Sequence, residues 1–114
     1  MLHLSVLSFA IAAVLGVLMA LRHFTRNGIP LSLALVHGFF AATGLVILVF
    51  SGLKMSFPAH TGLALVLFVG TALGGFTLFA MEFAKRALPS ALVVAHGSAA
   101  VVSFLVLASS VFTV

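Results

Sequence analysis

The sequence predicts an all-α fold: a four-helix transmembrane bundle built from two tandem repeated helical hairpins. Three observations lead to it. The first is composition. Of 114 residues, 64% are AVILMFWYC and only 5% are charged, with a mean hydropathy of +1.44. Soluble domains carry roughly a quarter charged residues, so this chain cannot keep a water-facing surface and its principal partner is the lipid bilayer. The second is the presence of four continuous apolar runs, each near the roughly 20 residues that span a hydrocarbon core. The third is a set of matching residues at a constant offset between the two halves, 1–55 and 60–114, of a single domain covering 1–114.

The same numbers exclude several classes. Apolar burial is too abundant for a disordered chain. The runs are continuous rather than alternating, which argues against a membrane β-barrel and leaves helices as the spanning elements. A formal charge of +4 is too small and dispersed for nucleic-acid binding. With no Cys there is no disulfide, thiolate, iron–sulfur or thioether-linked haem chemistry. Trp and Tyr are absent, so the usual interfacial aromatic anchors are missing.

The first span is expected at about 3–23. Its cationic residues follow the apolar run and Met1-Leu2-His3-Leu4 lacks a basic n-region, so it reads as a retained helix, not a signal peptide. The second is expected at about 30–53, opened by Pro30, a residue suited to the first helical turn. The third is expected at about 60–83, after Lys54-Met55-Ser56-Phe57-Pro58, and the fourth at about 89–112, opened by Pro89. Short connections make consecutive helices antiparallel neighbours. Arg22 and Arg26 lie in loop one and Lys85 and Arg86 in loop three, whereas loop two carries only Lys54. The positive-inside rule then places loops one and three in the cytoplasm and both termini outside an inner or plasma membrane.

The duplication rests on pairs 59 residues apart (89 minus 30, 96 minus 37): Pro30/Pro89, Leu33/Leu92, His37/His96, Gly38/Gly97, Ala41/Ala100 and Leu48/Leu107. The first arms agree through Phe9/Phe68, Ala13/Ala72, Gly16/Gly75, Phe24/Phe83 and the basic pair Arg26/Lys85. Chance matching of apolar segments is the competing explanation; the shared Pro-x6-His-Gly spacing favours duplication. Parallel repeats about an axis along the membrane normal are an established membrane architecture.

An ionisable side chain inside a span is costly and marks a functional site by default. His37 and His96 lie seven residues beyond their prolines, about 10 Å into the bilayer at 1.5 Å per residue. The stripe through His37 continues with Ala41, Gly44, Leu48 and Ser51, and that through His96 with Ala100, Ser103, Leu107 and Ser110. Gly16 and Gly75 fall at the same depth on the other two helices. Two imidazoles on one diagonal and two glycines on the other suit a flat macrocycle whose iron takes both histidines axially. Neutral imidazole is a good iron ligand, and glycine lets a ring edge approach the backbone. Magnesium-pigment ligation, proton relay and simple inter-helix hydrogen bonding are the alternatives. Gly70-x-x-x-Gly74 is expected to serve helix packing, and Met1, Met19, Met55 and Met81 to be apolar filler.

The pattern resembles the four-helix transmembrane b-type cytochromes, in a cytochrome b or b561-like arrangement. The resemblance implies that His37 and His96 ligate haem b, that Gly16 and Gly75 make room for it, and that Ala41, Ala100, Gly44 and Ser103 border it. It implies electron transfer with a quinone or a partner redox subunit, in a homo-oligomer or a larger membrane complex. Two-haem members carry further ligands later on the second and fourth helices, where this chain has Ser51 and Ser110. A second haem would instead resemble the alternating helix pairs of b561-like proteins, held by His3 and His60 with room at Ser51, Gly52, Ser109 and Ser110. His23 and Glu82, repeat partners beside four basic residues, are candidates for haem propionates or a quinone headgroup. The rival classes are a small dimeric four-helix exporter, which would need an acidic residue in the first span, and a pigment-binding or scaffold subunit.

Overall fold

The computed structural model describes residues 1–112. Four helices follow one another: α1 (Leu2–Phe24), α2 (Leu31–Lys54), α3 (Ala59–Phe83) and α4 (Ser90–Phe112). Each boundary falls within one residue of the expected span. All four helices are long and apolar enough to cross a membrane, and the 42 Å long axis matches a bilayer including its headgroup regions, about 40–45 Å.

The prolines set the helix starts. Pro30 and Pro58 precede α2 and α3 with extended backbone, and Pro89 precedes α4. Each offers a carbonyl to the first turn without presenting an orphan N–H of its own: Pro30 O accepts from Leu33 and Ala34, and Pro89 O from Leu92 and Val93. The ends of α1 and α3 are also copies of one another. Arg26 (φ 60°) and Lys85 (φ 58°) adopt the left-handed conformation. Around them Arg26 N bonds His23 O and Asn27 N bonds Arg22 O, just as Lys85 N bonds Glu82 O and Arg86 N bonds Met81 O. This is the double hydrogen-bond pattern of a Schellman cap, built on a basic residue where glycine is usual. The two loops that share the offset thus share one cap geometry.

The helices pair closely as hairpins, α1 with α2 and α3 with α4, and more sparsely between hairpins. The packed core, comprising Val6, Phe9, Leu48, Ala64, Phe68 and Leu107, lies entirely in the half of the bundle nearer loop two and the termini. The repeat partners Phe9 and Phe68 meet there, stacked at 3.8 Å between ring centroids and 4° between planes. Gly44 admits the Phe9 ring, three of whose atoms stand 3.0 Å from where a Cβ would project. In the other half, nearer loops one and three, Ala34 is the only buried helical residue among the described residues. The bundle is closed at one end and open at the other. Gly70, expected to pack against a neighbouring helix, has nothing near its Cβ position, while Gly74 backs a histidine ring instead.

Candidate functional site

His37 and His96 both point into the open half, and each is held in the same way. His37 Nδ1 lies 2.8 Å from Ala12 O on α1, and His96 Nδ1 lies 2.9 Å from Thr71 O on α3. Ala12 and Thr71 are themselves repeat partners. The local reason is the glycine four residues further on. In a helix the N–H of residue i bonds the carbonyl of i−4, so Gly16 and Gly75 are the residues that sit over the Ala12 and Thr71 carbonyls. Lacking side chains, they uncover the second lone pair of each carbonyl and leave a seat for the ring. A Cβ at Gly16 would stand 3.2 Å from His37 Cε1, and one at Gly75 only 2.9 Å from His96 Cε1. The glycines seat the histidines of their own hairpins.

A carbonyl only accepts, so Nδ1 carries a proton in each contact, and in the neutral ring Nε2 then keeps its lone pair. Neither Nε2 has a hydrogen-bond partner among the described residues. The two rings meet edge-on, 6.5 Å between centroids and 81° between planes. Two imidazoles bound linearly to one metal, with bonds of about 2 Å and about 1.1 Å from nitrogen to ring centre, would have centroids roughly 6.3 Å apart. The observed ring separation is close to that value. No cluster of three or more His, Cys, Asp or Glu occurs among the described residues. A structural or catalytic zinc site needs three or four protein ligands, and this layer offers two.

The other expected residues divide. Ala41 and Ala100 are half-buried, one turn beyond the histidines towards the packed half. Gly44 and Ser103 serve helix packing, in contrast to the border role expected of them. Gly44 holds the Phe9 ring and accepts from Ser5 Oγ at 2.8 Å, and Ser103 Oγ bonds Ala99 O and lies 3.3 Å from Thr71 Oγ1. The far-end pair fares worse. His3 is exposed with its ring edge-on to Phe112, and His60 is exposed. The room expected beside them is taken up: Ser51 is fully buried and donates to Ile47 O, Gly52 lies under the Phe57 ring, and Ser110 donates to Leu107 O. That end is packed protein.

At the opposite end the structure forms a cavity of about 300 Å³ between loops one and three, bordered by His23, Arg26, Glu82 and Arg86. His23 Nε2 also lies 3.1 Å from Ser90 Oγ, tying α1 to α4. Arg22 is committed elsewhere, donating to Gly28 O and Asn27 O within loop one. Sequence reasoning missed the two carbonyls, because a backbone acceptor leaves no side-chain signature; a glycine four residues after it, at the depth of a histidine, is the available signal. No protein-family model, curated protein or solved structure matches the chain.

Proposed function

We propose that the chain is a membrane b-type cytochrome that holds one haem b between His37 and His96 and relays single electrons within an inner or plasma membrane. One observation carries this reading: two repeat-related imidazoles meet edge-on at 6.5 Å, each with Nδ1 bound to a carbonyl and Nε2 free. When bound, haem iron supplies a one-electron couple. The residues do the rest. Ala12 and Thr71 fix the tautomer and orientation of the ligands, as hydrogen-bond partners behind metal-bound histidines commonly do. Gly16 and Gly75 keep the rings seated, and Ala41 and Ala100 keep the neighbouring turn free of bulk. With His37 and His96 both committed to holding the group, the site would suit electron transfer to a quinone or a partner redox subunit. Loops one and three face the cytoplasm in this reading, and the termini the outside.

The test is an absorbance spectrum of the protein purified from haem-replete cells. Sharp α and β bands on dithionite reduction are expected, and both His37→Ala and His96→Ala should abolish them while helicity by circular dichroism is retained. A colourless, folded wild-type preparation would falsify the reading, and red or near-infrared pigment bands would replace it with magnesium-pigment binding.

A further inference from the structure

The internal repeat supplies its own control: where the two halves differ, the difference marks something one half does alone. One such difference lies on the seam between α1 and α4. A groove of about 450 Å³ runs there from Ala20 and Phe24 past Val93 and Gly97 to Ser98 and Val101. From Val93 to Val101 it extends about 12 Å along α4 at 1.5 Å per residue. On the equivalent seam between α2 and α3, Phe79 stands in place of Ala20 and Phe39 in place of Ser98. Two phenylalanines occupy positions that the first seam leaves small.

This groove adjoins the polar cavity at the loop end. His23 borders the cavity and Phe24 the groove, and their rings are in edge contact at 4.8 Å. Two arginines, Arg26 and Arg86, line the cavity together with His23 and the chain's only acidic residue, Glu82. The combination is amphiphilic: a cationic mouth that holds a single carboxylate, beside an apolar groove open to lipid. Basic pockets at the ends of membrane helices recognise anionic headgroups.

We infer that this site holds one anionic phospholipid of the phosphatidylglycerol type. Its phosphate lies between Arg26 and Arg86, a headgroup hydroxyl donates to Glu82, and one acyl chain runs along the α1–α4 groove. Charge complementarity selects the anion, and the small residues Ala20 and Ser98 select the seam. The site is independent of the histidine pair and stands whether or not haem is bound there.

Native mass spectrometry of the purified full chain, exchanged into micelles with added phosphatidylglycerol or phosphatidylcholine, tests it. One phosphatidylglycerol per chain is expected at concentrations that leave phosphatidylcholine unbound. Arg26→Gln and Arg86→Gln should each weaken retention about fivefold. Ala20→Phe with Ser98→Phe, which copies the second seam, should abolish it without loss of helicity. Equal retention of the two lipids would overturn the proposal, as would retention indifferent to the arginine variants. Preferential capture of a quinone by the same groove, or binding of inorganic phosphate as tight as that of the lipid, would overturn it too.

Discussion

Replacing Gly75 by alanine is the sharpest probe of the histidine layer. The new Cβ would stand 2.9 Å from His96 Cε1, half an ångström inside the 3.4 Å at which ordinary contact begins; at Gly16 the same change gives 3.2 Å to His37 Cε1. The His96 ring has little freedom to yield, because Nδ1 is bound to Thr71 O at 2.9 Å. Relief requires stretching or breaking that hydrogen bond. Loss of such a partner behind a metal ligand costs about 10–100-fold in affinity, so Gly75→Ala should weaken haem retention about tenfold. Gly16→Ala, with less than half the intrusion, should cost severalfold less. Gly74→Ala, whose Cβ would sit in ordinary contact, is the internal control and should bind as wild type. Helix propensity works the other way, since alanine is favoured over glycine by about 1 kcal/mol in a soluble helix interior. The helix should therefore not unfold with the loss of haem. Haem titration into apoprotein, followed by absorbance alongside circular dichroism, measures both quantities. If Gly75→Ala binds as tightly as Gly74→Ala, or if Gly16→Ala is the more damaging, the seating role of the glycines is refuted.

Three further outcomes follow from the fold. Lys85→Gly should stabilise the bundle by about 0.5–1 kcal/mol in denaturant unfolding, because Lys85 holds φ 58° where glycine pays no steric penalty; a destabilised variant would refute the cap assignment. Ser5→Ala removes a fully buried hydroxyl bond to Gly44 O and should cost about 0.6 kcal/mol, typical of such bonds between membrane helices. The repeat partner Ala64 already tolerates that side chain, so a loss above about 1.7 kcal/mol would show that the repeats are energetically unlike. Because the chain has no native cysteine, an impermeant maleimide applied to intact cells should label Ser56→Cys in loop two and reach Ala87→Cys in loop three only after permeabilisation. The reverse pattern would invert the orientation drawn from Arg22, Arg26, Lys85 and Arg86.

The spans were legible because each is a run of apolar residues closed by a proline or a basic cluster, and a membrane helix must satisfy its backbone within itself. The pairing of His37 with His96 was legible from the 59-residue offset alone, since identical helices about one axis put identical positions at one depth. What could not be read was which surface each small residue serves. Gly16, Gly44 and Gly75 look alike in sequence, yet two uncover a carbonyl for a histidine and the third admits Phe9. That distinction depends on how far each helix is rotated towards its neighbour. Apolar residues all round the helix, with no polar face to orient it, leave the rotation unspecified. The surroundings of His3 and His60 could not be read for a related reason: residues at helix ends face whatever the loops leave open, and here Phe57 lies over Gly52 while Ser51 is buried.

The uneven packing of the bundle has a consequence for how it is held together. Lipid tails are as apolar as the helices, so association within the membrane rests on close packing and inter-helix hydrogen bonds, not on water exclusion. In the half nearer loop two both are present: Phe9 stacks on Phe68, Leu48 and Leu107 are fully buried, and Ser5 bonds across to α2. In the other half the two histidine bonds tie α1 to α2 and α3 to α4, so both act within a hairpin. The contact between His23 and Ser90 crosses between hairpins at the loop end. Between that contact and the aromatic stack, the hairpins meet through the His37 and His96 rings, with no hydrogen bond between them there among the described residues. A group bound by His37 and His96 together would supply the missing cross-link at that level. The closed half would then keep the apoprotein assembled, while the open half admits the group without unpacking a core.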